Sequence, residues 1–144
     1  MKKTITKSEE ETLDFGKRLA KRLKGGEIIG LEGDLGAGKT VLVKGLAQGL
    51  GIKKGITSPT FIMMKVHPVK KHKKIKTLCH VDVYRISSLE DLEAIGIFDY
   101  LGKKDTVCMI EWSEKLPELR RFDGFLKIKI DLYKKDKKKR KISY

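Results

Sequence analysis

Apolar residues recur at helical spacing in two stretches of the chain. They are Leu13, Gly16, Ala20 and Leu23 in the first stretch, and Leu42, Val43, Leu46, Ala47 and Leu50 in the second. The first set predicts a helix over about 9–23, which Ser8 and Glu11 would cap at its start. The second set predicts a helix that starts at Lys39 and ends at Gly51.

Shorter apolar runs predict the strands of a sheet. Glu27–Leu31 and Thr106–Ile110 read as buried strands, the second of the fully apolar type found in parallel sheets. Phe61–Val66 and Thr77–Val83 flank a lysine-rich link, which predicts a hairpin. Residues 126–132 alternate between apolar and polar, which predicts a half-exposed edge or antiparallel strand.

Serines and a glycine mark two short helices that complete the pattern. Ser87 and Ser88 are placed to cap a helix through Glu93, and Gly96–Leu101 favours another. Helices and strands therefore mix along the chain, which predicts an α/β protein with helices packed against a central sheet.

Length and composition indicate one domain without a membrane segment. The chain has 144 residues, enough for a single core, and no apolar run approaches the length of about 18 that a membrane helix needs. Its start becomes acidic at Glu9, before a signal-peptide core can form. We therefore expect a soluble, cytoplasmic protein. Cys79 and Cys108 lie in apolar runs without metal-site spacing and are expected to be reduced core thiols.

Positive charge is concentrated in two segments. Residues 65–76 hold six lysines and no acid, and residues 134–141 hold seven cations and one acid. Each segment carries +6 of the formal net charge of +14, which leaves +2 for the rest of the chain. The segments would either contact RNA through counterion release or form a solvated loop and a frayed tail. The folded domain is expected to span residues 1–133, with a basic C-terminal tail at 134–144.

A glycine loop follows the first predicted buried strand. It reads Gly33-Asp34-Leu35-Gly36-Ala37-Gly38-Lys39-Thr40, which fits the phosphate-binding pattern G-x-x-x-x-G-K-[ST] in its required place between a strand and a helix. Its backbone N–H groups, continued by Val41, would hold phosphates. Lys39 would reach the β- and γ-phosphates, and Thr40 would offer its hydroxyl to Mg²⁺. The alternative is a glycine turn without a ligand.

Two carboxylates follow other predicted strands. Glu111 comes directly after Val107–Ile110 and is the first candidate for the acidic partner of the metal or the orienter of attacking water. An ordinary solvated glutamate is the alternative. Asp82 shares one strand face with His80. It would share the magnesium or activate water, or else make a buried structural hydrogen bond.

Missing residue types narrow the choice of nucleotide. The chain has no asparagine, so it lacks the Asn-Lys-x-Asp motif of guanine-specific GTPases, and adenine is the expected base. The only glutamine, Gln48, lies in a predicted helix far from any catalytic position, which excludes a glutamine-positioned water. Lys39, Asp82 and Glu111 are the candidate catalytic residues.

Four motifs stand in an order and spacing similar to one bacterial family. They are GDLGAGKT, Ser58-Pro59-Thr60-Phe61, His80-Val81-Asp82-Val83-Tyr84-Arg85 and Glu111-Trp112. Over residues 8–133 the chain resembles the TsaE (YjeE) family, small bacterial P-loop ATPases of tRNA threonylcarbamoyladenosine synthesis. The resemblance implies a P-loop NTPase-like three-layer fold, with a mixed central sheet and helices on both faces.

The resemblance also implies a function. The protein would be an ATPase, with ATP and Mg²⁺ as cofactors, that assists the two-protein threonylcarbamoyltransferase complex in modifying adenosine 37 of tRNA. It would meet tRNA indirectly or through its basic segments.

The resemblance also implies roles for individual residues, each assigned by its position in the matching motif. The pair Lys39-Thr40 resembles the phosphate and magnesium residues, Glu111 the acidic partner of the metal, and Asp82 the catalytic aspartate. Ser58–Phe61 resembles a mobile segment that closes near the γ-phosphate. Trp112 resembles a ring close to the nucleotide.

Two other functions stay open on the sequence alone. A small-molecule or nucleoside kinase usually needs a lid with several arginines, and only Arg85, Arg120 and Arg121 lie outside the first helix and the tail. A basic RNA-binding module would bind tRNA without ATP. The scarcity of well-placed arginines also predicts slow ATP hydrolysis that the partner complex accelerates.

Overall fold

The chain forms one mixed sheet of seven strands, and the computed structural model describes all residues from Met1 to Tyr144. The strands are β1 (Lys3–Thr6), β2 (Ile28–Glu32), β3 (Met64–Pro68), β4 (Thr77–Asp82), β5 (Thr106–Glu111), β6 (Phe125–Tyr133) and β7 (Asp136–Ser143). The α-helices are α1 (Glu9–Ala20), α2 (Lys39–Gly49) and α3 (Leu89–Ala94). Short 3₁₀ helices span Ile97–Asp99, Ser113–Lys115 and Pro117–Arg121. The longest helix has 12 residues, and none is long and apolar enough to cross a lipid bilayer.

Four neighbouring strands at the centre of the sheet run parallel. The strand order is β1-β7-β6-β2-β5-β4-β3, in which β6, β2, β5 and β4 pair in parallel. The remaining pairs are antiparallel: β3 with β4 at one edge, and β7 with both β6 and the edge strand β1 at the other. The segments that follow β2, β4 and β5 therefore meet at one carboxyl edge, where open α/β sheets bind their ligands.

Alternate residues of the central strands point into two cores on opposite faces of the sheet. Ile29 and Met109 belong to the core that α1 and α2 complete. Ile28 and Cys108 belong to the core that α3 and the 3₁₀ helices complete. This arrangement confirms the predicted α/β fold, a mixed sheet between helices on both faces.

Helices α1 and α2 pack closely because glycines lie at their contact. A Cβ atom on Gly16 would lie 2.5 Å from the carbonyl oxygen of Leu42, and one on Gly45 would overlap the carbonyl of Leu13. Any larger residue would push the two helices apart. The close contact brings the first turn of α1 beside the start of α2.

Most of the predicted elements are confirmed, with shifted ends. Helix α1 ends at Ala20, three residues early, and the Ser8 hydroxyl accepts a hydrogen bond from the Glu11 amide at 3.1 Å, as the capping box predicts. The predicted hairpin is the β3–β4 pair. Strand β6 is antiparallel to β7 but lies inside the sheet, so the edge alternative is wrong.

The predicted C-terminal tail is the seventh strand of the sheet. Strand β7 pairs with β1 on one side and β6 on the other, so the predicted boundary after residue 133 is wrong. Ile142 is fully buried in the core shared with α1 and α2. The run of cations at 137–141 gives no hydrophobic pattern from which a strand could be predicted. The strand forms nonetheless, because main-chain pairing needs no apolar period. Lysine stems can cover a sheet while their charges stay in water. Strand β1, also unpredicted, has β7 as its partner.

The two cysteines are free thiols in the core, as predicted. They are far apart in the sequence, yet Cys79 of β4 and Cys108 of β5 face each other in register. A hydrogen bond with Cys79, together with burial, raises the pKa of the Cys108 thiol. Both groups therefore act as small apolar side chains that fill the core.

If β7 is part of the core, Ile142→Ala should lower the free energy of unfolding by about 2–5 kcal/mol, because it leaves a cavity. Urea denaturation followed by circular dichroism measures the change. Lys138→Ala, at an exposed position of the same strand, should cost less than about 1 kcal/mol. Equal stability of both variants and the parent protein would contradict the strand.

Candidate functional site

A cavity of about 410 Å³ opens at the carboxyl edge of the central strands, within the range of roughly 300–1,000 Å³ found for small-molecule sites. Most of the predicted site residues line it, namely Leu35, Gly36, Ala37, Gly38, Lys39, Thr40, Val41, Ser58, Thr60, Asp82, Glu111 and Trp112. Segments that are up to about 75 residues apart in the sequence are thus brought together by the parallel strands.

Four predicted residues do not line the cavity. Gly33 and Asp34 contact the site only through their carbonyl oxygens, which accept hydrogen bonds from the lining residue Lys39. Pro59 is buried. Phe61 is 82% exposed and lies under the guanidinium of Arg85, at 5.1 Å from the ring centroid.

The glycine loop takes a backbone shape that requires its glycines. Gly33, Gly36 and Gly38 have φ angles of 145°, 76° and 106°, a region that other residues rarely adopt. Gly38 is the residue before α2 and offers no side-chain cap. The first amides of α2 are therefore free to donate hydrogen bonds into the cavity, as in anion sites at helix N-termini.

Lys39 is held in place at the floor of the loop. Its Nζ donates to the carbonyl oxygens of Gly33 and Asp34, the second at 2.9 Å, and lies 3.8 Å from the ring centroid of Trp112. Burial lowers the pKa of Lys39, although nearby carboxylates, with Glu111 the strongest, oppose the shift. The loop thus presents a partly desolvated cation that an incoming anion would stabilise.

The two predicted carboxylates end neighbouring strands in register. Glu111 is 2% exposed, and its Oε1 accepts a hydrogen bond from the Thr40 hydroxyl at 2.8 Å. Asp82 is 3% exposed and accepts from the Tyr84 amide at 2.8 Å and the Thr60 hydroxyl at 3.1 Å. Asp82 therefore makes a buried structural hydrogen bond, as one of the two alternatives predicts, and also borders the cavity.

His80 adds a side chain that has no predicted role in the site. It is fully buried, and its Nε2 lies 3.4 Å from Oε1 of Glu111. Neither ring nitrogen has a hydrogen-bond partner. The imidazole and the Thr40 hydroxyl thus approach the same carboxylate oxygen of Glu111.

Three residues line the cavity that the sequence did not predict, namely Glu9, Thr12 and Arg140. Arg140 comes from β7, and its Nε donates to the Ala37 carbonyl oxygen of the glycine loop at 2.7 Å. Its Nη1 donates to two carbonyl oxygens of β7, at Lys137 and Lys139. No local pattern marks Arg140, because only the pairing of β7 with β6 carries it to the loop.

Trp112 has a strained backbone at the rim of the cavity. Its φ of 65° is rare for a residue with a side chain and costs about 1–3 kcal/mol. The ring packs against Tyr84, with centroids 5.0 Å apart, and Lys115 lies 4.0 Å from the Tyr84 centroid. These contacts offset the strain and hold the indole over Lys39.

Comparison with known proteins identifies the family. The family model described as threonylcarbamoyl adenosine biosynthesis protein TsaE matches residues 6–142. This chain belongs to the TsaE family. The match reaches Ile142 in β7, beyond the limit at residue 133 that the sequence motifs suggested, so the matched region includes nearly all of the C-terminal strand.

Individual relatives agree with the family model. The tRNA threonylcarbamoyladenosine biosynthesis protein TsaE of Streptomyces coelicolor is 42% identical over 120 residues, which are 82% of this chain and 77% of the relative. The protein of that name from Treponema pallidum is 43% identical over 112 residues, 78% of each chain. The crystal structure of YdiB from Bacillus subtilis matches with a TM-score of 0.72 and 32% identity, over 98% of this chain and 82% of that one. This likeness confirms the P-loop NTPase-like fold.

The oxygen atoms in the TsaE-family cavity suit a metal that arrives with phosphate. No group of three histidine, cysteine or acidic side chains is placed to hold a metal by itself. Thr40 and Glu111 bring two hard oxygen ligands within 2.8 Å of each other. Mg²⁺ typically uses one or two protein oxygens and completes its shell with phosphate and water, so these residues fit a magnesium ion bound to a phosphate chain.

Arg140→Ala should loosen the glycine loop, because it removes a charge-assisted hydrogen bond worth about 1.5–3 kcal/mol. We expect amide hydrogen exchange at residues 36–40 to accelerate about tenfold or more, since roughly 1.4 kcal/mol corresponds to a factor of ten. Lys135→Ala, an exposed cation near β7, is the control and should leave loop exchange unchanged. Unaltered protection in Arg140→Ala would show that the arginine does not support the loop.

Proposed function

We propose that this TsaE-family protein is a Mg²⁺-dependent ATPase that serves threonylcarbamoylation of adenosine 37 in tRNA by acting on the threonylcarbamoyltransferase complex. The observation that most supports the proposal is the hydrogen bond of 2.8 Å between Thr40 and Glu111. It joins the first turn of the helix after the glycine loop to the carboxylate at the end of a neighbouring strand. Phosphate-binding ATPases use this pairing of a loop hydroxyl and a strand-end acid around magnesium.

Binding of the phosphates would fall to the loop and Lys39. The loop amides and the start of α2 would donate to the phosphate oxygens. Lys39 would exchange its backbone acceptors, Gly33 and Asp34, for the β- and γ-phosphates. The exchange is favourable because phosphate neutralises a cation that burial penalises.

Thr40 and Glu111 would hold the metal, which would take the place of the hydrogen bond that now joins the two side chains. When bound, magnesium would neutralise the negative charge that develops on the phosphate oxygens. The buried Glu111 is oriented by its hydrogen bond with Thr40, and the imidazole of His80 lies beside it. Little reorganisation would then be needed when the nucleotide enters.

Asp82 is the residue proposed to orient and deprotonate the attacking water. Its carboxylate now accepts hydrogen bonds from Thr60 and, at 3.4 Å, from Ser58. Movement of the 58–61 segment toward the γ-phosphate would free this carboxylate for water. Binding of ATP and preparation of the base would thereby be coupled.

Hydrolysis by the chain alone is expected to be slow. Arg140 lines the cavity, but it already donates to three backbone carbonyl oxygens. A free guanidinium that could stabilise the transition state would therefore have to come from the partner complex.

The kinase alternative gains no support from the arginines. Arg120 pairs with Glu32 at 2.8 Å, and Arg85 covers the ring of Phe61. Such a kinase would need adjacent arginines in a mobile lid over its site. Neither of these arginines lines the cavity.

Lys39→Ala should weaken Mg-ATP binding by roughly a hundredfold or more, because it removes the cation that meets the β- and γ-phosphates. Isothermal titration calorimetry measures the affinity. Lys44→Ala, on the same helix but outside the cavity, should stay within about threefold of the parent. Absence of binding heat in the parent protein would refute the nucleotide site.

Asp82→Asn and Glu111→Gln should separate catalysis from metal binding. Asp82→Asn should keep ATP affinity but lower hydrolysis by about 10²–10⁴, the usual contribution of a general base. Glu111→Gln should raise the Mg²⁺ concentration needed for half-maximal ATP binding, because it removes the charge and keeps the shape.

Rates of ATP hydrolysis are measured with and without the threonylcarbamoyltransferase complex, which should accelerate hydrolysis by the parent protein. Equal rates under both conditions would contradict the role of the complex.

A further inference from the structure

The two basic segments of the sequence lie at different edges of the sheet. Residues 134–141 lead into and form β7, which places Arg140 in the cavity at the carboxyl edge. The segment 69–76 connects the end of β3 to the start of β4, at the opposite, amino edge. The two basic segments can therefore have different functions.

Lysines from four separate loops meet at the amino edge. One groove is lined by Lys24, Lys74 and Lys104. A second groove is lined by Lys53, Lys54, Lys70 and Lys71, and the loop 69–76 contributes lysines to both grooves. We call these seven residues the lysine surface. Its only acidic lining residue is Asp105, and none of the seven lysines has a carboxylate within 4.0 Å.

The loop that carries the central lysines is anchored to the body of the protein. Val69 and Ile75, at its two ends, are buried at 3% and 0% exposure. The Nδ1 atom of His72 accepts hydrogen bonds from the amides of Lys74, at 3.2 Å, and Ile75, at 2.9 Å. The segment is a loop with exposed lysines, as the predicted alternative of a solvated loop has it, but its ends are fixed to the core. The lysines are therefore presented from an anchored backbone.

The composition of the lysine surface favours a polyphosphate over other ligands. Protein interfaces are depleted in lysine at their centres and enriched in aromatic residues, and membrane-surface helices set large apolar residues beside their cations. The two grooves contain no phenylalanine, tyrosine or tryptophan. Their one aromatic ring is the half-buried imidazole of His67, and Ile52 is their one large aliphatic side chain. Because a single half-buried imidazole offers little surface for stacking on bases, the lysines favour contacts to the phosphate backbone of a folded nucleic acid.

We propose that the lysine surface binds the phosphate backbone of double-helical RNA. The choice of RNA rests on the proposed function, whereas the surface itself is independent of the nucleotide cavity. Strands of five or six residues separate the two edges, a distance of about 20 Å at 3.3 Å per residue. The protein can therefore hold RNA at one edge while ATP occupies the other.

The test compares two variants with the same net charge. One carries Lys70→Gln, Lys71→Gln, Lys74→Gln and Lys104→Gln in the lysine surface. The other carries Lys134→Gln, Lys135→Gln, Lys137→Gln and Lys138→Gln, exposed positions around the β6–β7 turn. Binding of a fluorescent tRNA transcript is measured by anisotropy over a salt series, and Mg-ATP binding is measured in parallel.

The lysine-surface variant should bind the transcript at least about tenfold more weakly, and its salt slope should fall by about 0.7–0.9 for each phosphate that is no longer neutralised. The β6–β7 variant should stay within about threefold of the parent, and both should retain ATP affinity. Equal losses in the two variants would reduce the effect to net charge and overturn the proposal, as would absence of RNA binding by the parent. A lysine-surface variant that binds RNA normally but fails to bind the RNA-free transferase complex would assign the surface to a protein instead. Failure of ATP binding with intact RNA binding would refute the nucleotide site alone.

Discussion

The parallel pairing of β2 with β5 is the constraint on which the site depends. Leu31 and Glu111 lie opposite each other in this pair, so the glycine loop that follows β2 starts beside the carboxylate that ends β5. Both strands are buried on both faces, and a slip of one residue would turn Glu111 toward the wrong core. Hydrophobic packing on the two faces therefore fixes the distance between the Thr40 hydroxyl and the carboxylate. The chemistry of the edge is set by the core beneath it.

The glycine loop is supported from two sides by charged groups. A carboxylate oxygen of Glu114 accepts a hydrogen bond from the Gly33 amide at 3.2 Å, and Arg140 donates to the Ala37 carbonyl oxygen. An anionic side chain thus accepts from an amide at one end of the loop, and a cationic side chain donates to a carbonyl oxygen near the other end. Such support counters the flexibility that three glycines would otherwise give, and preorganised amides bind an anion at a lower entropic cost. The C-terminal strand is in this way part of the site as well as of the sheet.

The sheet separates two kinds of surface. Its carboxyl edge carries the buried acids Asp82 and Glu111 around a cavity, whereas its amino edge carries lysines without acidic partners. Acids near the glycine loop fit a ligand that brings its own divalent cation, and unpaired lysines fit a ligand without one. The formal charge of +14 therefore describes neither surface by itself.

The sequence by itself determined the features that depend on neighbouring residues. Ser8 caps α1 as predicted, the apolar runs became buried strands, and the glycine loop occupies its expected place, because caps, periodicity and positive φ angles act within a few residues. Motif order also pointed to the family. Only the tertiary structure decided that β7 joins the sheet, that Arg140 reaches the loop, and that His80 lies beside Glu111. These contacts depend on which strands pair and in what register, and a cation-rich strand held by its main chain leaves no apolar period from which that pairing could be read.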